Sequence, residues 1–368
     1  MGSSGYRITW KTIILLAVGI GAFLLYLFLF KVDIFAIIDK ARGMDLSLYL
    51  LALSCVVLDT FFFAMAWRSL LNFLAVRLSI IKSFLYVWYG VFMDIVIPAE
   101  SISGEISRVY LVTREQNGAQ GKVVASLVAH RLMGMAINVA SLFIGIFLLL
   151  VRGQLYGIVL TLLLFLVVAT SVGLILLFSL CLREKWTLKL IDGAMKFAAF
   201  VSRGRWKLTS IKEEALKAAR MFHDSIKEYM RSPKTIITSF CLSMISWIFA
   251  VGVAYLVFLS LGVQIQLSVV LVTTTIVVAV KSIPIGIPFE VGLPEITMST
   301  LFGLLSPNIT LQTAATATVL IRILTLWLRF FIGFAAQQWL EIRTIRQPSL
   351  KLGRASLEKP KSVSGHIL

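Results

Sequence analysis

Two stretches of this chain share a spacing that chemistry can use. Pro98-Ala-Glu100 is followed by Glu105, and Pro288-Phe-Glu290 by Glu295, so both read P-x-E-x4-E. Arg131 lies 26 residues beyond Glu105, and Arg322 lies 27 beyond Glu295. Arg108, Lys281, Arg329, Asp59 and Asp94 fall in comparably apolar surroundings, and His130 adjoins Arg131. Arginine offers a planar, permanently charged fork of donors that matches phosphate, whereas lysine offers a point charge. A carboxylate beside an arginine either orients it or carries a proton in its place. Pro284, Gly286, Pro288, Gly292 and Pro294 cannot sustain a regular helix. Non-helical backbone at membrane depth is tolerated where it lines a cavity, and half-helix N-termini there present free N–H groups to an anion.

A charge at the centre of a bilayer costs about 2.5–3.5 kcal/mol on insertion scales. The membrane zone nonetheless holds six acids (Asp59, Asp94, Glu100, Glu105, Glu290, Glu295) and five bases (Arg108, Arg131, Lys281, Arg322, Arg329). Mutual pairing accounts for any one of them. It accounts less well for eleven, because small residues and packing suffice to hold membrane helices together. Arg322 sits deep in its span, and Arg329 follows two turns later on the same face as a structural partner or a second site group. Arg131 is two turns into its helix and within snorkelling reach of the surface. Asp59 and Asp94 read as paired or protonated acids. The acidic pairs Glu100/Glu105 and Glu290/Glu295 lack Asp-rich metal spacing, and only three histidines exist. No catalytic residue, metal or cofactor is expected. The cysteines, Cys55, Cys181 and Cys241, show no CxxC pattern and read as small core residues.

The elements that must position these groups are membrane helices. The chain is 59% hydrophobic and 14% charged, against about 45–50% and 25% for a soluble domain. That balance excludes a soluble enzyme or a disordered scaffold, and the long apolar runs exclude an outer-membrane barrel. The fold class is all-α. Crossing helices are predicted over 12–30, 47–67, 123–151, 157–181, 235–262 and 313–340. The first has no small-residue cleavage site and reads as a retained helix. Apolar stretches at 83–98 and 267–283 each meet a Pro/Gly/acid break and then a short helical piece, at 102–115 and 291–305. These are predicted re-entrant helical hairpins. Six crossings with two hairpins put both termini on one side, which then receives 26 of the 35 basic residues, so both are expected to be cytoplasmic. The net charge of +17 thus orients the chain in the plasma membrane and calls for no nucleic acid.

The expected division is a first membrane repeat, 1–181, with its hairpin at 83–115, then a basic cytoplasmic or interfacial connector, 182–234. A second repeat, 235–340, carries the hairpin 267–305, and a basic, disordered tail runs over 341–368. Ser210 and Glu213 form a candidate capping box for a helix to about Tyr229. The apolar spacing beside Lys189 and Lys196 suits either a helix on the anionic inner leaflet or a solvated connector. The first hairpin would enter from the cytoplasm and the second from outside, which makes the halves an inverted repeat of the kind transporters use.

Four stretches give the chain a resemblance. They are Trp67-Arg68-x-Leu70, Ile97-Pro98-x5-Gly104-Glu105-x2-Arg108, the Ser282–Glu295 run SIPIGIPFEVGLPE, and Ala314–Trp327 with its Arg322-Ile-Leu-Thr-Leu-Trp. Together they resemble the flippase-like membrane proteins related to the transmembrane region of lysylphosphatidylglycerol synthases, over about residues 12–340. The resemblance implies movement of a lipid, often aminoacylated or lipid-linked, between leaflets, with cavity positions at Glu105, Arg108, Glu295 and Arg322. The chain departs from relatives in having Pro288-Phe-Glu-Val-Gly292 where a Pro-Gly-Gly turn is usual. Residues 182–234 are too short for a synthase-type catalytic domain.

The expected function is that of a lipid translocase, flippase- or scramblase-like, rather than an enzyme. Its substrate-binding residues would be Glu100, Glu105, Arg108, Arg131, Lys281, Pro288, Glu290, Gly292, Glu295, Arg322 and Arg329. Its partners would be a membrane phospholipid or lipid-linked substrate and anionic lipid at the cytoplasmic face; an oligomer is compatible with all of this. The alternatives are a membrane-embedded lipid-modifying transferase and a secondary transporter of a small anionic solute.

Overall fold

The computed structural model describes residues 28, 34–97, 102–116, 118–155, 157–201, 208–281 and 291–341. All regular structure among them is helical: α1 (Ile34–Arg42), α2 (Leu46–Phe73), α3 (Ile80–Val96), α4 (Ile102–Glu115), α5 (Gln120–Val151) and α6 (Gly157–Leu182), then α7 (Glu184–Val201), α8 (Leu208–Met230), α9 (Pro233–Ser260), α10 (Leu267–Lys281), α11 (Leu293–Leu305) and α12 (Leu311–Glu341). The chain is an all-α, multi-pass membrane protein.

Length sorts these helices into two kinds. α2, α5, α6, α9 and α12 have 26 to 32 residues, and at about 1.5 Å per residue each exceeds the ~30 Å hydrocarbon core. They match five of the predicted crossings. The predicted crossing at 12–30 lies outside the described residues except for residue 28. α2 runs further than its apolar stretch, to Phe73, because Arg68 at its end donates from Nε to the Leu78 carbonyl at 2.8 Å instead of ending the helix. α3, α4, α10 and α11 have 17, 14, 15 and 13 residues, too short to cross alone. They lie where the hairpin arms are predicted and pack in sequential pairs, α3 on α4 and α10 on α11.

Local sequence explains the ends. Asp45 caps α2 by accepting from the Ser47 and Leu48 amides at 2.8 and 3.2 Å, and Thr310 caps α12 through the Thr313 amide at 3.2 Å. Pro233 opens α9, where its missing N–H costs nothing. Within α12, residues Ile323–Leu328 form a π-helical turn.

Packing is built on small residues. α2 and α9 lie against one another along their length through Ala52, Cys55 and Ala66 on one and Ser239, Ser246 and Gly252 on the other, with Ser239 Oγ donating to the Ala66 carbonyl at 3.0 Å. Close backbone approach of this kind is how helices associate in lipid. Glycine sets two further contacts. A Cβ on Gly145 of α5 would lie 2.7 Å from the Val272 side chain of α10, and one on Gly333 of α12 would lie 2.7 Å from both the Trp88 carbonyl and the Phe92 Cβ of α3. α6 buries only Leu163 and Cys181 and turns the rest of its apolar surface outward. Cys55 and Cys181 are buried as expected, but Cys241 is exposed on α9, because the α9 face that meets α2 is the serine face.

The connector is docked rather than loose. Tyr229 of α8 donates to the Leu70 carbonyl at 3.0 Å, and Gly121 of α5 admits the backbone at Ala218 and the Met221 side chain. Burial pushes the Tyr229 pKa up, so the hydroxyl remains a donor. α8 begins at Leu208, so Ser210 lies within the helix and is not its N-cap.

Gly333→Val is expected to lower the thermal stability of the detergent-solubilised protein, by about 1–3 kcal/mol for overpacking a filled contact. Gly173→Ala, on α6 where a Cβ would meet nothing within 4 Å, is expected to be neutral or mildly stabilising. Melting curves of the two variants check the contrast.

Candidate functional site

The two motif glutamates and the two arginines that follow them are joined in the structure as pairs. Glu295 occupies the first turn of α11, after Gly292 at φ 103°, a backbone conformation open to glycine. One Glu295 carboxylate oxygen accepts from the Gly292 amide at 2.6 Å, capping the helix N-terminus, and the other accepts from Arg322 Nε at 2.5 Å. The side chains of Glu295 and Arg322 are 1% and 5% exposed. Beside them Ser299 donates to Thr318, fixing α11 on α12.

In the first half Arg131 Nη1 lies 3.2 Å from Glu105 Oε1, joining α5 to α4. This pair is half open, at 36% and 23% exposure. The N-terminus of α4 is capped from the neighbouring arm instead. Asp94 of α3 accepts from the Gly104 amide at 2.7 Å and from Ser103 Oγ at 2.8 Å. Gly90 and Gly104 make this possible: a Cβ on Gly104 would strike the Asp94 carboxylate and the Gly90 carbonyl.

Arg108 is placed differently. Its side chain runs back along α4, Nε donating to the Gly104 carbonyl at 3.4 Å. Its guanidinium lies over the rings of Phe63 and Trp67 on α2, 5.7 and 5.4 Å from their centroids. Trp67 is anchored by Nε1 donating to Ser126 Oγ at 3.0 Å, and Phe63 meets His130 edge-on at 4.3 Å between ring centroids.

A third polar centre ties both halves together. Asp59 of α2 accepts from Ser246 Oγ of α9 at 2.6 Å and from Arg329 Nη2 of α12 at 2.5 Å. The sequence spacing puts Arg329 on the same face as Arg322, yet the two reach different elements. The intervening π-helical turn inserts a residue relative to α register, so seven positions no longer make two turns.

Lys281 is half-buried at the C-terminal end of α10, where a cation complements the helix dipole. Gly292 is the N-cap of α11 as described. Glu100, Pro288 and Glu290 lie outside the described residues. The structure therefore brings Glu105 to Arg131, Glu295 to Arg322, and Arg329 to Asp59 rather than to the other site residues. Sequence reasoning missed Phe63 and Trp67. The signal was there: Asp59, Phe63 and Trp67 recur every four residues, one face of α2. Asp94 was noticed as a buried acid, but its capping role needed the contact between arms.

Residues 14–333 match the family described as the lysylphosphatidylglycerol synthase TM region. The chain is also similar to UPF0104 membrane protein PH1989 of Pyrococcus horikoshii, with 23% identity over 320 residues, which are 85% of this chain and 93% of that one. No solved structure matches.

Breaking a buried pair leaves an uncompensated charge, at a cost of about 3–5 kcal/mol, whereas a half-exposed pair contributes about 1 kcal/mol or less. Arg322→Met is therefore expected to destabilise far more than Arg131→Met, and Glu295→Gln with Arg322→Met to regain part of the loss. Denaturation midpoints of the single and double variants measure it.

Proposed function

The chain belongs to the family of lysylphosphatidylglycerol synthase transmembrane regions, and from that premise we propose that it is a lipid translocase of the plasma membrane, with both termini cytoplasmic. It moves a phosphate-bearing or lipid-linked lipid between leaflets, the headgroup passing through a polar site between the two broken helix pairs while the tails stay in lipid. The observation that carries this reading is the twin Glu–Arg pair. Glu105–Arg131 and Glu295–Arg322 have the same order and nearly the same separation, 26 and 27 residues. Each joins the second arm of a broken pair to the long helix that follows it. Stability alone is poorly served by such pairs in an apolar interior, since hydrophobic replacements of similar volume often do as well or better.

Cross-packing supports an inverted repeat, 1–181 against 235–340, with α3–α4 and α10–α11 as re-entrant hairpins. The long helix of each half rests through a glycine on the first arm of the other half, Gly145 on α10 and Gly333 on α3. The helices that precede the hairpins, α2 and α9, face each other. Transporters place their sites at the interface between such repeats, at discontinuous helices. The difference in exposure between the two pairs fits a site open toward one leaflet and closed toward the other. On the cytoplasmic face, the basic connector 182–234 attracts anionic lipid.

The experiment is reconstitution into vesicles with labelled phospholipid and a leaflet-specific quencher. Wild type is expected to exchange lipid, and Arg131→Ala with Arg322→Ala, selected as folded by size-exclusion profile, to lose at least about tenfold in rate, the worth of one charged hydrogen bond. Unchanged exchange in the double variant would sink the reading, as would exchange in wild type no faster than in protein-free vesicles.

A further inference from the structure

The arginines of the described membrane zone are not equivalent. Arg131 and Arg322 each have a carboxylate in contact, and Arg329 has Asp59. A phosphate approaching any of these must compete with a carboxylate already in place. Arg108 is different. It is 7% exposed, its Nη1 is enclosed and makes no hydrogen bond, and no described carboxylate lies within ion-pair distance of it. The two acids whose charge reaches it are engaged elsewhere, Glu105 with Arg131 and Asp94 with Ser103 and the Gly104 amide.

A structural arginine would be expected to fill its edge as well as its faces. Here Phe63 and Trp67 take up the face of the guanidinium, and among the described residues the one bond from its edge is the long one from Nε to Gly104. Aromatic stacking leaves the in-plane N–H groups free. Those are the donors that a phosphate engages, in pairs, with charge assistance. A buried charged donor without a partner is costly, and rigid anchoring of its platform by Ser126 argues that its position is held.

We propose that Arg108 is the phosphate-binding residue of this protein, with Phe63 and Trp67 as the platform that holds its guanidinium edge toward the ligand, and Arg131 and Arg322 as positioning residues pinned by their glutamates. The ligand chemistry is a phosphate monoester or diester carrying negative charge. That the phosphate belongs to a lipid headgroup rests on the translocase reading; the recognition of phosphate does not. Since Nη1 is enclosed, the ligand enters when α3 and α4 part from α2.

The test is binding to the full chain in detergent, read by native mass spectrometry, with three probes. Phosphatidylglycerol offers tails and phosphate, diacylglycerol tails alone, and inorganic phosphate the anion alone. Arg108→Gln is expected to bind phosphatidylglycerol about 10–100-fold more weakly, the range for loss of a charged hydrogen bond, with diacylglycerol binding unchanged. Arg108→Lys keeps the charge but not the fork, is expected to fall between, and serves if the glutamine variant does not fold. Phosphatidylglycerol binding unchanged in a folded variant overturns the inference, even where wild type exchanges lipid between leaflets. Arg108-dependent binding of inorganic phosphate, in a protein that exchanges no lipid, upholds the inference and removes the translocase reading.

Discussion

The constraint on which this structure turns is that a carboxylate cannot sit in hydrocarbon without being fully met. Glu295 shows how it is met. One oxygen satisfies the amide of Gly292 at the start of α11, and the other takes Arg322. The helix N-terminus brings partial positive charge and the arginine brings a full one, so both carboxylate oxygens are met. In return the acid fixes where α11 begins, how it lies on α12, and which way Arg322 points.

The first half solves the same problem with different atoms. Its helix terminus is capped by Asp94 from the neighbouring arm, which leaves Glu105, likewise in the first turn, to face Arg131. The acid and the arginine keep their positions relative to the motif, while the capping duty has moved to another residue. This explains why the first pair is looser and more exposed than the second. A carboxylate with two strong partners is held from both sides, whereas Glu105 meets Arg131 through one contact at 3.2 Å. The two sites are alike in plan and unequal in exposure.

What could be read from the residues follows the range of the interaction. Hydrophobic length is local, so five crossing helices and four short arms were legible to within a few residues at most ends, Phe73 of α2 excepted. The Glu–Arg spacing was legible because the members lie on consecutive elements, the second arm of a hairpin and the long helix after it, where chain connectivity fixes who meets whom. The Asp59–Arg329 contact joins residues 270 apart, and no spacing rule reaches that far. The π-helical turn at 323–328 was equally hidden, since ILTLWL is unremarkable as α-helix and the extra residue appears only when Arg322 and Arg329 must satisfy partners on different helices. Phe63 and Trp67 gave no sign of their role, because a ring covered by aliphatic side chains and a ring covered by a guanidinium look the same in sequence.

The position of α12 follows from these contacts. Along one helix, Arg322 reaches α11, Arg329 reaches α2 and Gly333 rests on α3. It touches the broken pair of its own half, the broken pair of the other half and the helix that carries the aromatic platform. A rigid helix with three such attachments transmits displacement, because packed small-residue contacts and buried ion pairs have discrete arrangements and do not stretch. The π-helical turn lies between the first attachment and the other two. Such turns have weaker, longer-range backbone bonds than α-helix and recur at functional positions. It is the compliant point of an otherwise stiff element. Bending within Ile323–Leu328 would leave both arginines on their carboxylates, one on each side of the turn.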